Sequence, residues 1–196
     1  MTTEVTFDGR MRYMENRKIK LTKRLLKESL IELLKQKDIS HITIKEISEN
    51  ADLNRSTFYS HYQDVYQLLD EITQEVVSRI PFAYDGNDYN ISNIAEFIDY
   101  IHQHKDIFSV LLRQGALHQY IAHRSHEIFL NGSVQNGSMK ACDMEVYDAL
   151  SAFCIAGAES FLSCCINGDI STTQQAQILF KMIESAKSIV LSYPEL

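Results

Sequence analysis

The chain has 196 residues, 45% of them hydrophobic and 23% charged, with only 7 Gly and 2 Pro. This composition excludes wholesale disorder, and the scarcity of turn formers argues against a β-sandwich or barrel and for an all-α fold of about nine helices. The net charge of −7 is unevenly placed: residues 10–62 carry 12 Lys and Arg against 7 Asp and Glu, whereas residues 63–196 carry 7 against 17. A basic head precedes an acidic body, so the overall sign does not exclude a polyanionic partner.

The first periodic segment is Lys20 to Lys35, where Leu21, Leu25, Leu30, Leu33 and Leu34 recur at helical spacing among charged residues. After a connection over Gln36 to Ile42, Thr43 and Glu46 form a capping box, with Ile42 and Ile47 as its hydrophobic staple. A short helix over Ile44 to Asn50 follows. Ala51 to Asn54 is a turn, and Asn54 is a favoured N-cap for a third helix from Arg55 to about Tyr62. Two short helices joined by such a turn behind a longer helix form a helix-turn-helix layout. Phe58, Tyr62 and Leu53 supply its small core. Arg55, Ser56, Thr57, Tyr59, Ser60 and His61 remain outward, a face rich in donors and poor in negative charge that suits phosphates and base edges. With Thr43, Lys45 and Asn54 they form the predicted DNA-binding set.

The stretches Ile42 to Ile47 and Ala51 to Tyr62 resemble the DNA-binding signature of the TetR/AcrR family of bacterial transcriptional regulators. The motif covers residues 18–72; the rest of the chain matches in length and helical character. Two positions depart from the family pattern. Asp52 stands where Gly is usual, and Asp tolerates the left-handed backbone better than most residues. Val65 stands where relatives present a Lys to a DNA phosphate, which removes a charge-assisted contact. The tail Arg10, Arg12, Arg17, Lys18 and Lys20 is placed to compensate at the DNA backbone or the adjacent minor groove. The domains expected are a helix-turn-helix head over 1–63, with a basic tail over 1–17, and an effector-binding and dimerisation body over 64–196.

In the body, Asp64 caps a helix carrying Val65, Leu68, Leu69, Ile72, Val76 and Ile80 and ending near Pro81. A polar loop over 85–90 precedes a helical segment from Ile91 to Ile101. Ile107 to Leu112 and Ala116 to Leu130 read as two more helices broken near Gly115, and Asn131 to Ser138 as a loop. The last two helices, Met144 to Asn167 and Thr172 to Leu191, are the longest; the first is dense in small residues. The resemblance implies that this pair makes a four-helix homodimer interface, which recognition of two half-sites also requires.

Phe97, Tyr100, Phe108, Leu112, Tyr120, Phe153 and Phe161 are the candidates for an apolar effector pocket. His123 and His126 share a helix face, but no ligand set completes a metal site, and no metal or other cofactor is expected. The chain carries no phosphate-binding Gly-rich loop and no nucleophile elbow, so no enzyme is expected. Cys142, Cys154, Cys164 and Cys165 form no C-x-x-C pair, the first residues lack a secretory signal pattern, and no apolar run reaches membrane-spanning length. A cytoplasmic protein without membrane contact is expected. The function implied is a sequence-specific DNA-binding regulator, a repressor that binds a palindromic operator as a homodimer and is released by a small-molecule effector. The alternative is a TetR-like co-regulator or activator with a weakened head.

Overall fold

The computed structural model describes residues 4–79, 90–123, 143–168 and 170–192, and among them the chain is helical with no strand. The helices are α1 (Glu4–Leu34), α2 (Ile44–Asn50), α3 (Arg55–Tyr59), α4 (Val65–Val77), α5 (Ile91–Gln103), α6 (Lys105–Arg113), α7 (Asp143–Asn167) and α8 (Thr172–Ser192). Residues 118–123 are also helical. The chain divides into two compact units between Ile72 and Thr73, within α4. α4 ends at Val77, with Ser78 and Arg79 in a turn, short of the expected end near Pro81. Ile80 and Pro81, the polar loop up to residue 89, the end of the 116–130 helix with His126, the 131–138 loop and Cys142 lie outside the described residues.

In the first unit, α1 is longer than the leucine spacing predicts: it starts at Glu4 rather than Lys20. Residues 10–19 hold neither Pro nor Gly and are mostly good helix formers, so nothing stops the helix from propagating backwards. Of the predicted leucines, Leu30 and Leu34 are fully buried, Leu25 and Leu33 are half-buried and Leu21 is exposed; Leu26 is fully buried with them, and Ser29 and Thr22 are buried beside it. The remaining core is Ile39, Ile42, Ile47, Ala51, Phe58 and Tyr62, with Val65, Leu68, Leu69 and Ile72 of α4. A 3₁₀ turn over Ile39–His41, capped by the Asp38 carboxylate accepting from the Ser40 N–H, lies within the predicted connection.

The capping box forms as expected. The Glu46 N–H donates to Thr43 Oγ1 at 3.3 Å, and the Thr43 N–H donates to Glu46 Oε2 at 2.9 Å. Lys37 Nζ lies 2.6 Å from Glu46 Oε1. That bond, followed by those from the Thr43 backbone and hydroxyl, lowers the Glu46 carboxyl to a pKa of about 2. Behind α2, Ser29 Oγ donates to the Ile47 carbonyl at 2.8 Å and Asn50 Nδ2 donates to Ser29 Oγ at 3.2 Å, fixing α2 against α1.

The turn after α2 is a Schellman motif: the Leu53 N–H bonds to the Ser48 carbonyl at 2.8 Å and the Asp52 N–H to the Glu49 carbonyl at 3.2 Å. Its C′ residue, Asp52, has φ 53°, the left-handed conformation that Gly adopts without strain. Asp52→Gly is therefore expected to stabilise the chain by about 0.5 kcal/mol and Asp52→Val to destabilise it by about 1–2 kcal/mol in urea titrations.

In the second unit, Ile94, Ile98, Cys165 and Ala176 form a buried cluster joining α5, α7 and α8, with Phe161, Leu179, Phe180 and Ile183 packed around it. A polar chain ties the same three helices. Thr172 Oγ1 donates to Asp99 Oδ1 at 2.9 Å, and the His102 ring lies 3.0 Å from the Cys165 carbonyl through Nε2 and 3.5 Å from Thr172 Oγ1 through Nδ1. His118 Nδ1 pairs with Glu159 Oε1 at 3.1 Å. Gly115, at φ 65°, closes α6 as the C′ residue of a second Schellman turn, where the Ala116 N–H reaches the Leu111 carbonyl. Cys154, Cys164 and Cys165 are free thiols; burial, with Cys164 beside it, pushes the Cys165 thiol up to about 12, far from thiolate reactivity. No helix among the described residues is long and apolar enough to cross a membrane.

Candidate nucleic-acid interface

The turn geometry sets which side chains α3 presents. Phe58 points inward and is fully buried, with Tyr62 beside it at a ring separation of 5.7 Å. Anchoring that face turns Arg55, Ser56, Tyr59 and Ser60 outward, and all four are exposed. Tyr59 is 60% exposed and meets the Phe58 ring edge-on at 6.0 Å, which holds a large phenol out from the surface.

Several predicted site residues are placed differently. Thr57 and His61 are half-buried, turned partly from the outer face. The helix ends at Tyr59 rather than Tyr62; the Ser60 hydroxyl donates to the Thr57 carbonyl at 2.7 Å. Asn54 occupies the N-cap position, but its side chain makes no capping bond and stays exposed. Thr43 is exposed, with its hydroxyl engaged in the capping box. Lys45 is exposed and lies 3.7 Å from Glu49, a surface pair too weak to withhold it from a phosphate. Val65 is 7% exposed, so the first turn of α4 offers no charge at that position, and Tyr66 beside it is exposed.

Sequence reading did not single out Lys23, Lys27 and Glu71. Lys23 Nζ and Lys27 Nζ lie 2.8 and 2.7 Å from the Glu71 carboxylate, joining α1 to α4, and Lys23 Nζ also sits 5.2 Å from the centre of the Tyr62 ring. The contact spans 48 residues between Lys23 and Glu71, so only an α1–α4 register would have revealed it.

The tail expected to reach a minor groove is helical from Glu4. A helix about 10–12 Å across does not enter a minor groove about 6 Å wide, which rules out that mode for residues 4–17.

Of the predicted pocket residues, Tyr100 and Phe108 meet edge-on at 5.8 Å, with Phe97 and Phe108 buried. Burial raises the Tyr100 phenol above its usual range, with Arg79 opposing. Leu112 and Tyr120 are half-buried, and Phe161 packs on the α5–α7–α8 cluster. Phe153 does not join them: it is 74% exposed on α7. A groove of about 340 Å³ runs along α8, lined by Ile170, Gln174, Gln177, Ile178 and Lys181.

No protein-family model matches the chain. Over 104 residues, 48% of this chain, it is 28% identical to the uncharacterized HTH-type transcriptional regulator YxbF of Bacillus subtilis (strain 168), and the match spans 27% of that protein's length. A TetR transcriptional regulator from Streptococcus agalactiae 2603V superposes with a TM-score of 0.65 at 20% identity, covering 88% of this chain and 98% of that one. The dihydroxyacetone kinase operon activator DhaS superposes with a TM-score of 0.53 at 13% identity, covering 86% and 97%. The helix-turn-helix head followed by a helical body is thus the fold of the TetR transcriptional regulators, and this chain has that fold.

Proposed function

We propose that the chain is a TetR-type transcriptional regulator that binds a palindromic operator as a homodimer through α3. The observation that carries this reading is the outer face of α3: a guanidinium, two serine hydroxyls and a projecting phenol, held on a helix anchored by a buried Phe and introduced by a Schellman turn. The Arg55 guanidinium, the Ser56 hydroxyl and the Tyr59 phenol are donors for phosphates and base edges, while the Ser60 hydroxyl donates to the Thr57 carbonyl, and no carboxylate lies among them. A dimer sets two such faces about one helical turn apart. Exposed Phe153 on α7 and Ile178 and Met182 on α8 supply apolar surface for that dimer. The body takes up a small-molecule effector that binds the non-operator conformation better, so that DNA and effector oppose each other by the same factor and binding relieves repression. Gln175, buried with neither amide atom bonded, supports a polar component in that ligand.

The test is selection of duplexes from a random library followed by gel shifts. Arg55→Ala and Tyr59→Ala are each expected to weaken binding to the selected duplex by about ten- to hundredfold, from about 1–3 kcal/mol per recognition contact. Failure to enrich any sequence, or unchanged binding by both variants, refutes operator recognition.

A further inference from the structure

We propose that α1 carries a phosphate-tracking stripe that contacts duplex flanking each half-site, an inference that rests on the DNA-binding reading above. At about 100° per residue, Arg17, Lys20 and Arg24 fall within about 60° of the α1 circumference, one rail about 10 Å long. The buried positions Thr22, Leu26, Ser29, Leu30 and Leu34 lie on the other side of the helix. Arg17, Lys20 and Arg24 are exposed accordingly.

The rail is continuous with the part of α1 that packs in the head. Among the described side chains of α1, Asn16 to Leu21 are all exposed and Thr22 is the first buried one. Among the described residues Arg17 and Lys20 have no acidic partner, and Arg24 makes only a loose exposed contact to Glu28 at 3.6 Å. Lys23 and Lys27 lie to one side of the rail and are held by Glu71. The C-terminal end of the rail is fixed beside α3, because Lys23, next to Arg24, lies against the Tyr62 ring three residues beyond the end of α3.

A row of three exposed cations of this length matches about three phosphate spacings of one strand. It carries no hydrogen-bonding pattern for base edges, so its contribution is to affinity and salt dependence and not to sequence choice. The occupant is the DNA backbone, chosen by charge complementarity and by continuity with the α3 face. The rail also supplies from α1 the cationic contact that buried Val65 cannot make from α4.

The experiment uses the full chain and a duplex it has selected, made in two lengths: one trimmed to the two half-sites and one with ten extra base pairs on each side. Fluorescence anisotropy across a salt series compares the wild type with the triple variant Arg17→Gln, Lys20→Gln, Arg24→Gln. Gln retains helix propensity at these exposed positions, and circular dichroism checks that helix content is unchanged. On the long duplex the slope of log K against log[salt] is expected to fall by about 2.7 per subunit, from about 0.9 per phosphate contact, while on the trimmed duplex the two proteins bind alike. Equal slopes on the long duplex, or an equal loss on both, overturns the rail while leaving operator recognition by α3 standing. Wild-type binding to phosphatidylglycerol vesicles that the triple variant loses, with unchanged DNA slopes, assigns the rail to a membrane surface and likewise overturns it. If the wild type binds neither duplex with sequence preference, the regulator reading falls and the rail with it.

Discussion

Phe58→Ala is expected to lower the stability of the first unit by about 3–5 kcal/mol, a large share of what a small domain possesses. Phe58 is fully buried beneath α3, meets Tyr59 edge-on at 6.0 Å and lies 5.7 Å from Tyr62, so truncation removes both ring contacts and opens a cavity. The same ring keeps Arg55 and Tyr59 on the outer surface. Without it, α3 is a five-residue helix whose Asn54 N-cap makes no side-chain bond, and such a helix has no stability of its own. Urea denaturation should show a lower midpoint. Binding to a selected duplex should weaken even below the denaturation midpoint, because the folded variant holds α3 loosely. Phe58→Leu fills most of the space and should cost less than half as much. If Phe58→Ala loses less than about 1 kcal/mol, the ring does not anchor the recognition face.

How much of this was legible in the sequence depends on the range over which each feature is decided. The Thr43–Glu46 capping box is settled within four residues, and the structure forms it as the spacing predicts. Asp52 could be read because its backbone conformation follows from the turn, whatever the rest of the chain does. The bounds of α2 match the expectation, and those of α5, α7 and α8 come within two residues of it, since their apolar periods are long and their ends are marked by polar residues. The buried face of α1 was harder. Leu21 and Leu25 and the set Leu26, Leu30 and Leu34 all obey helical spacing, and only packing against α2 decides that the second set is buried. The backward extension of α1 to Glu4 was not legible because the leucine repeat begins only at Leu21. The predicted effector residues come from segments far apart in the chain, where periodicity identifies an apolar face but not what that face meets. Tyr100 and Phe108 do converge, and Phe153 does not.

Glu71→Ala is expected to cost about 2–3 kcal/mol at pH 7, because it removes the carboxylate that holds Lys27, whose side chain is only 12% exposed, and Lys23. The figure lies below that for a fully buried pair because Glu71 itself is about a third open to water. Burial pushes the Glu71 carboxyl up, but hydrogen bonds from Lys23 and Lys27 outweigh burial and hold it below the usual range. A carboxyl depressed in the folded state stabilises the protein above its unfolded value of 4.5, and that contribution is lost as pH falls through the folded value. The difference between wild type and Glu71→Ala should therefore be full at pH 6–7 and shrink below about pH 4.5. Glu46 is depressed as well, to about 2, so the wild type also loses its contribution as pH falls below 4.5 toward that value. Glu71→Gln separates charge from shape: it keeps an acceptor for one lysine and should recover part of the loss without restoring the acid dependence. Denaturation series at pH 3, 4.5 and 7 read all three variants. A Glu71→Ala penalty that does not change across that range would mean that packing, and not the two-lysine clamp, joins α1 to α4.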